Sequence, residues 1–362
     1  MLFFGSKPKS ILGIDIGTSS IKVVQLKKIE DKFKLETYGD ISTIGYLDRL
    51  NESFQTTSLR TLEAITREML KIVLKKAETT TRHAILTIPV FSSFTSVIEM
   101  PEISDKELVQ AIEFEARKYI PIPLAEVVLD WKIIETGMIK DSNSPKPFQG
   151  KRILLIAVPK EVVNKYIRIA EALSLKVNAL ELENFSFARS LALNEINPLC
   201  ILDIGARATS CSIVEKGMVQ MSHGLDIAGA EMTRTLASSL GIAFGRAEDF
   251  KLAHGINHQG SEERKESKET LVNLIDEILL ESERMINHYQ TKTEKKIEKI
   301  ILNGGSAQME GLKEYVEKRL NIKTFIADPW SKIIYPPSLQ SILKDRGPLF
   351  SVAVGAAMRE KG

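Results

Sequence analysis

Apolar and polar positions along this chain switch between a period of two and a period near 3.6, and the switches mark its elements. Ile11–Ile16 is an apolar run rich in β-branched residues that ends at Gly17. Ile21–Leu26 resumes it after a turn of small residues, which predicts a strand–turn–strand unit. Lys32–Tyr38 predicts a third strand. From Leu59 to Val73 the apolar residues Leu59, Leu62, Ile65, Met69, Ile72 and Val73 have the spacing of a helix with one inward face. Ala84–Pro89 and Thr95–Met100 predict buried strands. After Pro101 a helix opens on Ser104 as N-cap, with Glu107 closing a capping box and Ile103 and Leu108 placed as a hydrophobic staple. It runs to about Tyr119 and stops before Pro121 and Pro123. Val127–Ile134 and Ile153–Val158 read as strands around a polar loop, Lys140–Gly150. Glu161–Leu173 is a helix packed along Val163, Ile167 and Ala170.

Leu199–Ile204 and Ser210–Val214 repeat the opening pattern: apolar strand, Asp, Gly, small residues, second strand. Asp226–Leu240 and Ser261–Tyr289 predict helices, the second with a charged outer face. Ile300–Leu302 is a short strand running into Asn303, Gly304 and Gly305. A helix follows from Ser306 with Met309, Leu312 and Val316 on one face, and Phe350–Arg359 is a closing helix of small residues. The likeness of Gly13–Ser20 to Leu202–Thr209 is the informative point. A duplicated α/β lobe with a cleft between the copies is the simplest architecture that explains it. Length agrees: 362 residues exceed the roughly 250–300 that a single core serves.

Composition narrows the class. Apolar content of 43% with 27% charged residues is that of a soluble globular protein, and a net charge of +2 gives no general reason to bind nucleic acid. Cys200 and Cys211 sit in apolar segments that read as neighbouring strands, without a CxxC partner, as reduced core residues of a cytoplasmic protein. No apolar stretch approaches the ~18–20 residues of a membrane span. Met1–Phe4 is apolar but is cut short by Gly5, Ser6 and Lys7, so it is either a disordered tip or a small membrane or partner contact rather than a signal peptide.

The chemistry lies in the two repeated turns. The first strand delivers Asp15 to its end. Gly17 permits a tight turn without a Cβ to block a phosphate, and Thr18, Ser19 and Ser20 offer hydroxyls and a concave set of backbone N–H groups. Lys22 adds a compact positive charge. Asp203 and Gly205 recur in the same design, with Thr209 as a further hydroxyl. Two such hairpins would grip a polyphosphate from both sides, and Asp15 and Asp203 would share a hydrated Mg²⁺, which takes only one or two carboxylates. Gly304, Gly305 and Ser306 form a third glycine loop that opens a helix, where a nucleotide meets backbone and the positive end of the dipole. His254 and His258 are four apart but are separated by Gly255 and Asn257, so a loop is expected rather than a metal pair. The Lys292–Lys299 cluster alternates with Glu294 and Glu298 and reads as a solvated face, and Trp131 and Trp330 as packing residues.

In order and spacing these motifs resemble the actin, heat-shock chaperone and sugar kinase superfamily over the whole chain. Its two phosphate motifs look like Gly13–Lys22 and Leu202–Thr209, its connecting motifs like Leu182–Ala188 and Val352–Ala357, and its adenosine motif like Ile301–Gly311. The resemblance places Lys22 as a phosphate lysine and Glu183 as the residue that orients an attacking water. Asn184 departs from the proline common after that position in the chaperones. Within the superfamily, Ala228–Gly255 resembles the FtsA and PilM branch, where a Gly–Thr helix and an Ala-Glu-x-x-Lys helix line the adenosine pocket. That implies Gly229, Thr233, Glu248 and Lys251 as nucleotide contacts; the bland alternative for Glu248 and Lys251 is a surface pair three apart. The segment Ile98–Trp131 looks like the PilM side of the branch. The chain's end at Gly362, directly after the second connecting motif, favours that side over FtsA, which is expected to continue into an amphipathic tail.

What the resemblance implies is an α/β actin-like fold of two duplicated lobes around a nucleotide cleft, with an FtsA-type inserted subdomain. Subdomain 1A would take residues 10–91, 159–197 and 345–362, the insert 1C residues 92–158, 2A residues 198–235 and 300–344, and 2B residues 236–299. The implied protein is a cytoplasmic scaffold of a type IV pilus or related secretion platform, peripheral to the inner membrane. It would bind ATP and Mg²⁺ together with the cytoplasmic N-terminus of a PilN-like membrane protein, and hydrolyse ATP slowly at most. The rival expectations are an FtsA-like filament former, for which a homo-oligomer is implied, and a small-molecule kinase. The kinase would need a catalytic Asp that no segment clearly supplies.

Overall fold

A computed structural model describes residues 9–43, 56–139, 148–257 and 262–360. Met1–Phe4, His258, Gly362 and most of the Lys140–Gly150 loop lie outside the described residues. The strands β1 (Ser10–Ile16), β2 (Ser20–Ile29) and β3 (Lys32–Ser42) lead into α1 (Thr56–Lys76) and β4 (His83–Ile88). Next come β5 (Phe94–Pro101), α2 (Asp105–Ala116), β6 (Val127–Ile139), β7 (Phe148–Pro159), α3 (Lys160–Ala172), β8 (Lys176–Leu182) and α4 (Glu183–Ala192). The second half runs β9 (Leu199–Ile204), β10 (Thr209–Glu215), β11 (Met218–Leu225), α5 (Gly229–Leu240), α6 (Phe244–His254) and α7 (Glu262–Thr293). It closes with β12 (Lys299–Asn303), α8 (Leu312–Leu320), β13 (Lys323–Ile326), β14 (Ile333–Ile334), α9 (Gln340–Asp345) and α10 (Gly347–Ala357).

The chain divides into two compact units. The first comprises Met1–Pro89, Asn164–Leu191 and Ala327–Gly362; the second, Val90–Val163 and Ala192–Ile326. The first unit's sheet has the order β14-β3-β2-β1-β4-β8, the second unit's β11-β10-β9-β12-β13. In both, three antiparallel strands joined by tight turns are followed by two parallel ones, β4 and β8 in the first and β12 and β13 in the second. The repeat seen in two short motifs is thus a repeat of whole sheets, and the fold is actin-like.

Packing explains why each copy closes. In the first unit, Val24, Leu26 and Leu35 meet Trp330, Phe350, Ala353 and Ala357. The rings of Tyr38, Trp330 and Phe350 stack edge to face or tilted with centroids 5.6–6.1 Å apart. Each such large side chain contributes roughly 1.5–3 kcal/mol on burial. In the second unit the cores of β9, β10 and β12 face α5, α7 and α8 through Leu202, Ile213, Ile300, Leu236, Ile275 and Val316. Cys200 and Cys211 lie in that core as free thiols with sulfurs 3.4 Å apart. The residues between β4 and α3 form a separate antiparallel sheet, β5-β7-β6. On it α2 lays Leu108, Ile112 and Ala116, and both halves of the Ser104–Glu107 capping box are made.

Four expectations shift. On α3 the buried face is Tyr166, Ile169 and Ala170, one step round from the Val163–Ile167 stripe, which is only half-buried. α5 begins at Gly229 because Ala228 is extended, at φ −153° and ψ 176°. The helix expected from Ser306 is a single 3-10 turn, Gly305–Gln308, and the α-helix starts only at Leu312. Gly311, at φ 82°, breaks the helical run between them. The lysine cluster is a partly exposed face that is also paired: Lys292 with Glu99 at 2.6 Å, Lys295 with Glu215 at 2.7 Å and Lys299 with Glu195 at 2.6 Å. Acidic residues remote in sequence are brought opposite it.

Candidate functional site

The two repeated turns are geometric copies. In the first, the Gly17 N–H donates to the Ser20 carbonyl at 3.1 Å; in the second, the Gly205 N–H donates to the Ala208 carbonyl at 3.1 Å. A Cβ on either glycine would come within 2.9 Å of that same carbonyl oxygen, so the turn itself requires glycine. Asp15 stands opposite Lys22 across the first hairpin, and Asp203 opposite Ser210 across the second.

In the first unit the Lys22 ammonium lies 3.1 Å from the Asp15 carboxylate, and Asp15 is buried. Thr18, Ser19 and Ser20 form the half-buried tip, which Thr43 pins from behind: its N–H donates to the Ser19 carbonyl at 2.8 Å and its hydroxyl to the Thr18 carbonyl at 2.5 Å. Glu183 opens α4. Tyr166, which no sequence motif singles out, is buried close enough to Glu183 and Asp15 to respond to both. Burial first, then the negative charge of Glu183 and of Asp15, pushes its phenol pKa far up, so it stays a neutral donor beside two carboxylates. Asn184 is 1% exposed, and neither atom of its amide has a partner.

In the second unit three elements converge behind the hairpin. The Gly229 and Ala230 N–H groups donate to the Gly205 and Ala206 carbonyls at 2.9 and 3.0 Å, docking the first turn of α5 on the loop. Thr209 is fully buried and donates its hydroxyl to the Ile227 carbonyl at 2.6 Å, so its proton is committed to the same junction. From α6, Lys251 reaches in. Its ammonium donates to the Gly229 carbonyl at 3.0 Å, the Thr233 hydroxyl at 2.9 Å and the Glu248 carboxylate at 2.8 Å. At 1% exposure Lys251 is no surface partner of Glu248. Burial lowers its pKa, with Glu248 opposing that shift. The Thr233 hydroxyl also contacts the Glu248 carboxylate. A Cβ at Gly229 would strike the Ser306 hydroxyl and sit 3.3 Å from the Lys251 ammonium. Gly304, at φ 85°, leaves no room for one either, which would meet the Ile204 carbonyl at 2.5 Å and Asp203 Oδ1 at 3.0 Å. Gly305 follows as the first residue of the 3-10 turn.

Gly205, Thr209, Gly229, Thr233, Glu248, Lys251, Gly304, Gly305, Ser306 and Asp203 therefore belong to the second unit, where the contacts just described link nearly all of them. Asp15, Gly17, Thr18, Ser19, Ser20, Lys22 and Glu183 belong to the first. The second cluster joins the ends of two strands to the start of a helix around a buried lysine–carboxylate pair, and the start of a helix favours an anionic ligand. Among the described residues no group of three or more His, Cys, Asp or Glu is placed to hold a metal ion. A cation there would keep most of its waters, as Mg²⁺ does. The buried Asn303 oxygen and the Ser210 hydroxyl beside Asp203, both without partners, fit such a water shell. A cavity of about 500 Å³ bordered by Ser239, Arg246, Asp249 and His254 opens on the other side of α6 and includes none of these residues. Among the described residues no helix is long and apolar enough to cross a membrane.

The chain is similar to known proteins. The cell division protein FtsA of Staphylococcus epidermidis is 21% identical over 372 residues, 92% of this chain and 77% of its own length. The solved structure of a PilM-PilN type IV pilus biogenesis complex matches with a TM-score of 0.79 at 22% identity, covering 96% of this chain and 98% of that one. The ethanolamine utilization protein EutJ of Carboxydothermus hydrogenoformans matches with a TM-score of 0.51 at 16% identity, over 97% and 90% of the two chains. The family profile described as type IV pilus assembly protein PilM matches residues 13–361, so the chain belongs to the PilM family of type IV pilus assembly proteins.

Proposed function

We propose that this protein is an ATP-binding scaffold of a type IV pilus or related assembly platform, held at the cytoplasmic side of the inner membrane by a PilN-like partner. The observation that carries the nucleotide half is the convergence of Gly205, Gly229, Lys251 and Ser306 behind the second hairpin. In this reading Gly17–Ser20, Lys22 and Gly205 hold phosphates, Glu248, Lys251, Thr233 and Gly229 hold the ribose side, and Gly304–Ser306 flank the base; Thr209, expected as a further phosphate hydroxyl, instead braces the junction through the Ile227 carbonyl. Asp15 and Asp203 would hold Mg²⁺, which when bound neutralises phosphate charge. Glu183 would position a water for slow hydrolysis, with the neutral Tyr166 phenol as a donor beside it. Nucleotide acts as a structural switch rather than as a source of turnover. The partner half is supported by family membership and by the likeness to a chain of a PilM-PilN complex. Residues 92–158 are the proposed docking subdomain, and Phe114 on α2, 65% exposed, is an apolar residue such a surface would present.

The test is calorimetric titration of the ATP-loaded full chain with a peptide from the cytoplasmic N-terminus of the host's PilN-like protein. One-to-one binding at about micromolar Kd, weakened in Phe114→Ala, supports the scaffold. A chain that retains ATP and ignores the peptide overturns the partner assignment. The FtsA similarity over 92% of the chain supports a second reading, a filament former on membranes. Pelleting with ATP and lipid would favour it, and a chain that stays in the supernatant would remove it.

A further inference from the structure

Asp203 does not stand alone on its strand end. Strand register sets Ser210 directly opposite it on β10 and Asn303 directly opposite it on β12. Cys200, Leu202 and Ile204 of β9 point into the second unit's core, as do Cys211 and Ile213 of β10 and Ile300 and Leu302 of β12. By the two-residue period of a strand, Ser210, Asp203 and Asn303 therefore form a row on the opposite face of the sheet. The row is buried, with Asn303 1%, Ser210 4% and Asp203 9% exposed. The Asn303 amide N–H donates to Asp203 Oδ1 at 2.7 Å, which fixes the amide's orientation: its nitrogen faces the carboxylate and its oxygen does not. That oxygen and the Ser210 hydroxyl are buried without a hydrogen-bond partner. A buried polar atom left unsatisfied is destabilising, and two of them, one on either side of a carboxylate, call for a partner that all three groups share.

The first unit supplies the contrast. The corresponding row there is Lys22, Asp15 and Thr87. Its aspartate meets an ammonium, and the Thr87 hydroxyl is used up on the Ile14 carbonyl at 3.3 Å. Where the first row sets a lysine and a satisfied threonine, the second sets two neutral groups with unpartnered oxygens. An all-oxygen row around one carboxylate suits a hard cation that retains its waters.

We propose that Asn303 is a positioning residue for a divalent cation. Its amide nitrogen fixes the Asp203 carboxylate, and its oxygen, with the Ser210 hydroxyl, accepts hydrogen bonds from the cation's water shell. This deepens the nucleotide reading above and rests on it.

The test uses the full chain, Mn²⁺ as probe read by the electron paramagnetic resonance of the free ion, and ADP. ADP affinity is measured separately in a chelator with a fluorescent analogue. Asn303→Leu keeps the volume and removes both polar atoms; it should weaken Mn²⁺ binding to the ADP-loaded chain by about tenfold, the usual scale for an outer-shell partner. Ser210→Ala should weaken it by a smaller factor. Both should leave metal-free ADP affinity within about twofold of the parent value. Asn303→Asp sets a second carboxylate beside Asp203, so its melting temperature should fall without divalent cation and recover when Mn²⁺ is added, which a packing role alone would not produce. Parent-like Mn²⁺ affinity in Ser210→Ala and in a folded Asn303→Leu overturns the proposal while leaving nucleotide binding intact. If Asn303→Leu fails to fold, parent-like Mn²⁺ affinity in Ser210→Ala with no cation-dependent recovery of Asn303→Asp overturns it. A parent chain that binds no ADP overturns the nucleotide reading and this inference with it.

Discussion

Single residues in this protein are constrained by what they touch across strands, and the buried Glu181 shows it most sharply. Its carboxylate takes two hydrogen bonds from Arg189, at 2.8 and 2.9 Å, and one each from Ser186 and Arg359. Burial pushes its pKa up, but the hydrogen bonds and charge of Arg189, then Ser186 and Arg359, outweigh burial and leave it below the ordinary 4.5. A carboxylate whose folded pKa is depressed contributes stability that is present above its unfolded pKa and is lost as pH falls through the folded value. Glu181→Gln should therefore lose about 3 kcal/mol at neutral pH, as expected when a buried pair loses one partner. The gap between its urea midpoint and that of the parent should narrow as pH drops below about 4.5. A gap that stays constant to acid pH would show that the cluster acts through packing and not through charge. Motif residues such as Asp15, Gly17, Asp203 and Gly205 were legible in the sequence because a tight turn after a strand restricts residue type locally. Tyr166, Ser210 and Asn303 were not, because their roles depend on strand register and helix rotation that no local pattern encodes.

At the scale of elements, small residues decide how closely helices approach. A Cβ on Gly355 in α10 would run into the backbone of Ser186 in α4, and one on Gly13 in β1 into the Ala353 carbonyl of α10. The Gly355 carbonyl also accepts from Arg189 at 2.6 Å, and the Ser351 carbonyl from the Ser190 hydroxyl at 2.8 Å, so the crossing is bonded as well as packed. Gly355→Ala should then cost about 1–3 kcal/mol, the range for overpacking, despite alanine's better helix propensity. A urea midpoint equal to or above the parent's would mean that the two helices can separate freely. Helix starts were legible where the signal is chemical, as with Ser104 and Glu107, whose capping box is made in full. Ser104→Ala should lose about 1 kcal/mol, read as a lower urea midpoint at an unchanged slope. The turn after Gly304 was misread as an α-helix because apolar spacing at Met309, Leu312 and Val316 is blind to the positive φ of Gly311.

For the whole molecule, duplication was visible in two eight-residue motifs and is realised as two five-strand sheets of one topology, the first extended by β14. What the sequence could not assign was membership: residues 90–163 group by contact with the second unit, although the chain enters and leaves them through elements of the first. Two units with separate cores need not melt together, so one midpoint does not describe them. The tryptophans make the distinction measurable. Trp330 is 1% exposed in the first unit's core, and Trp131, on β6, packs against the core of the second unit's β5-β7-β6 sheet. Trp131→Phe leaves Trp330 as the reporter of the first unit, while calorimetry records both. A ligand that binds only the folded state at a hundred times its Kd stabilises it by about 2.7 kcal/mol. If ATP engages only the Gly229–Lys251–Ser306 cluster, ATP with Mg²⁺ should raise the calorimetric transition of the second unit and leave the Trp330 transition in place. If the Gly17–Ser20 turn holds phosphate as well, the Trp330 transition should rise with it. The proposed phosphate role of Lys22 requires the second result and the loss of that rise in Lys22→Ala. An immobile Trp330 transition would confine nucleotide to the second unit and leave the first hairpin a structural copy of the working one.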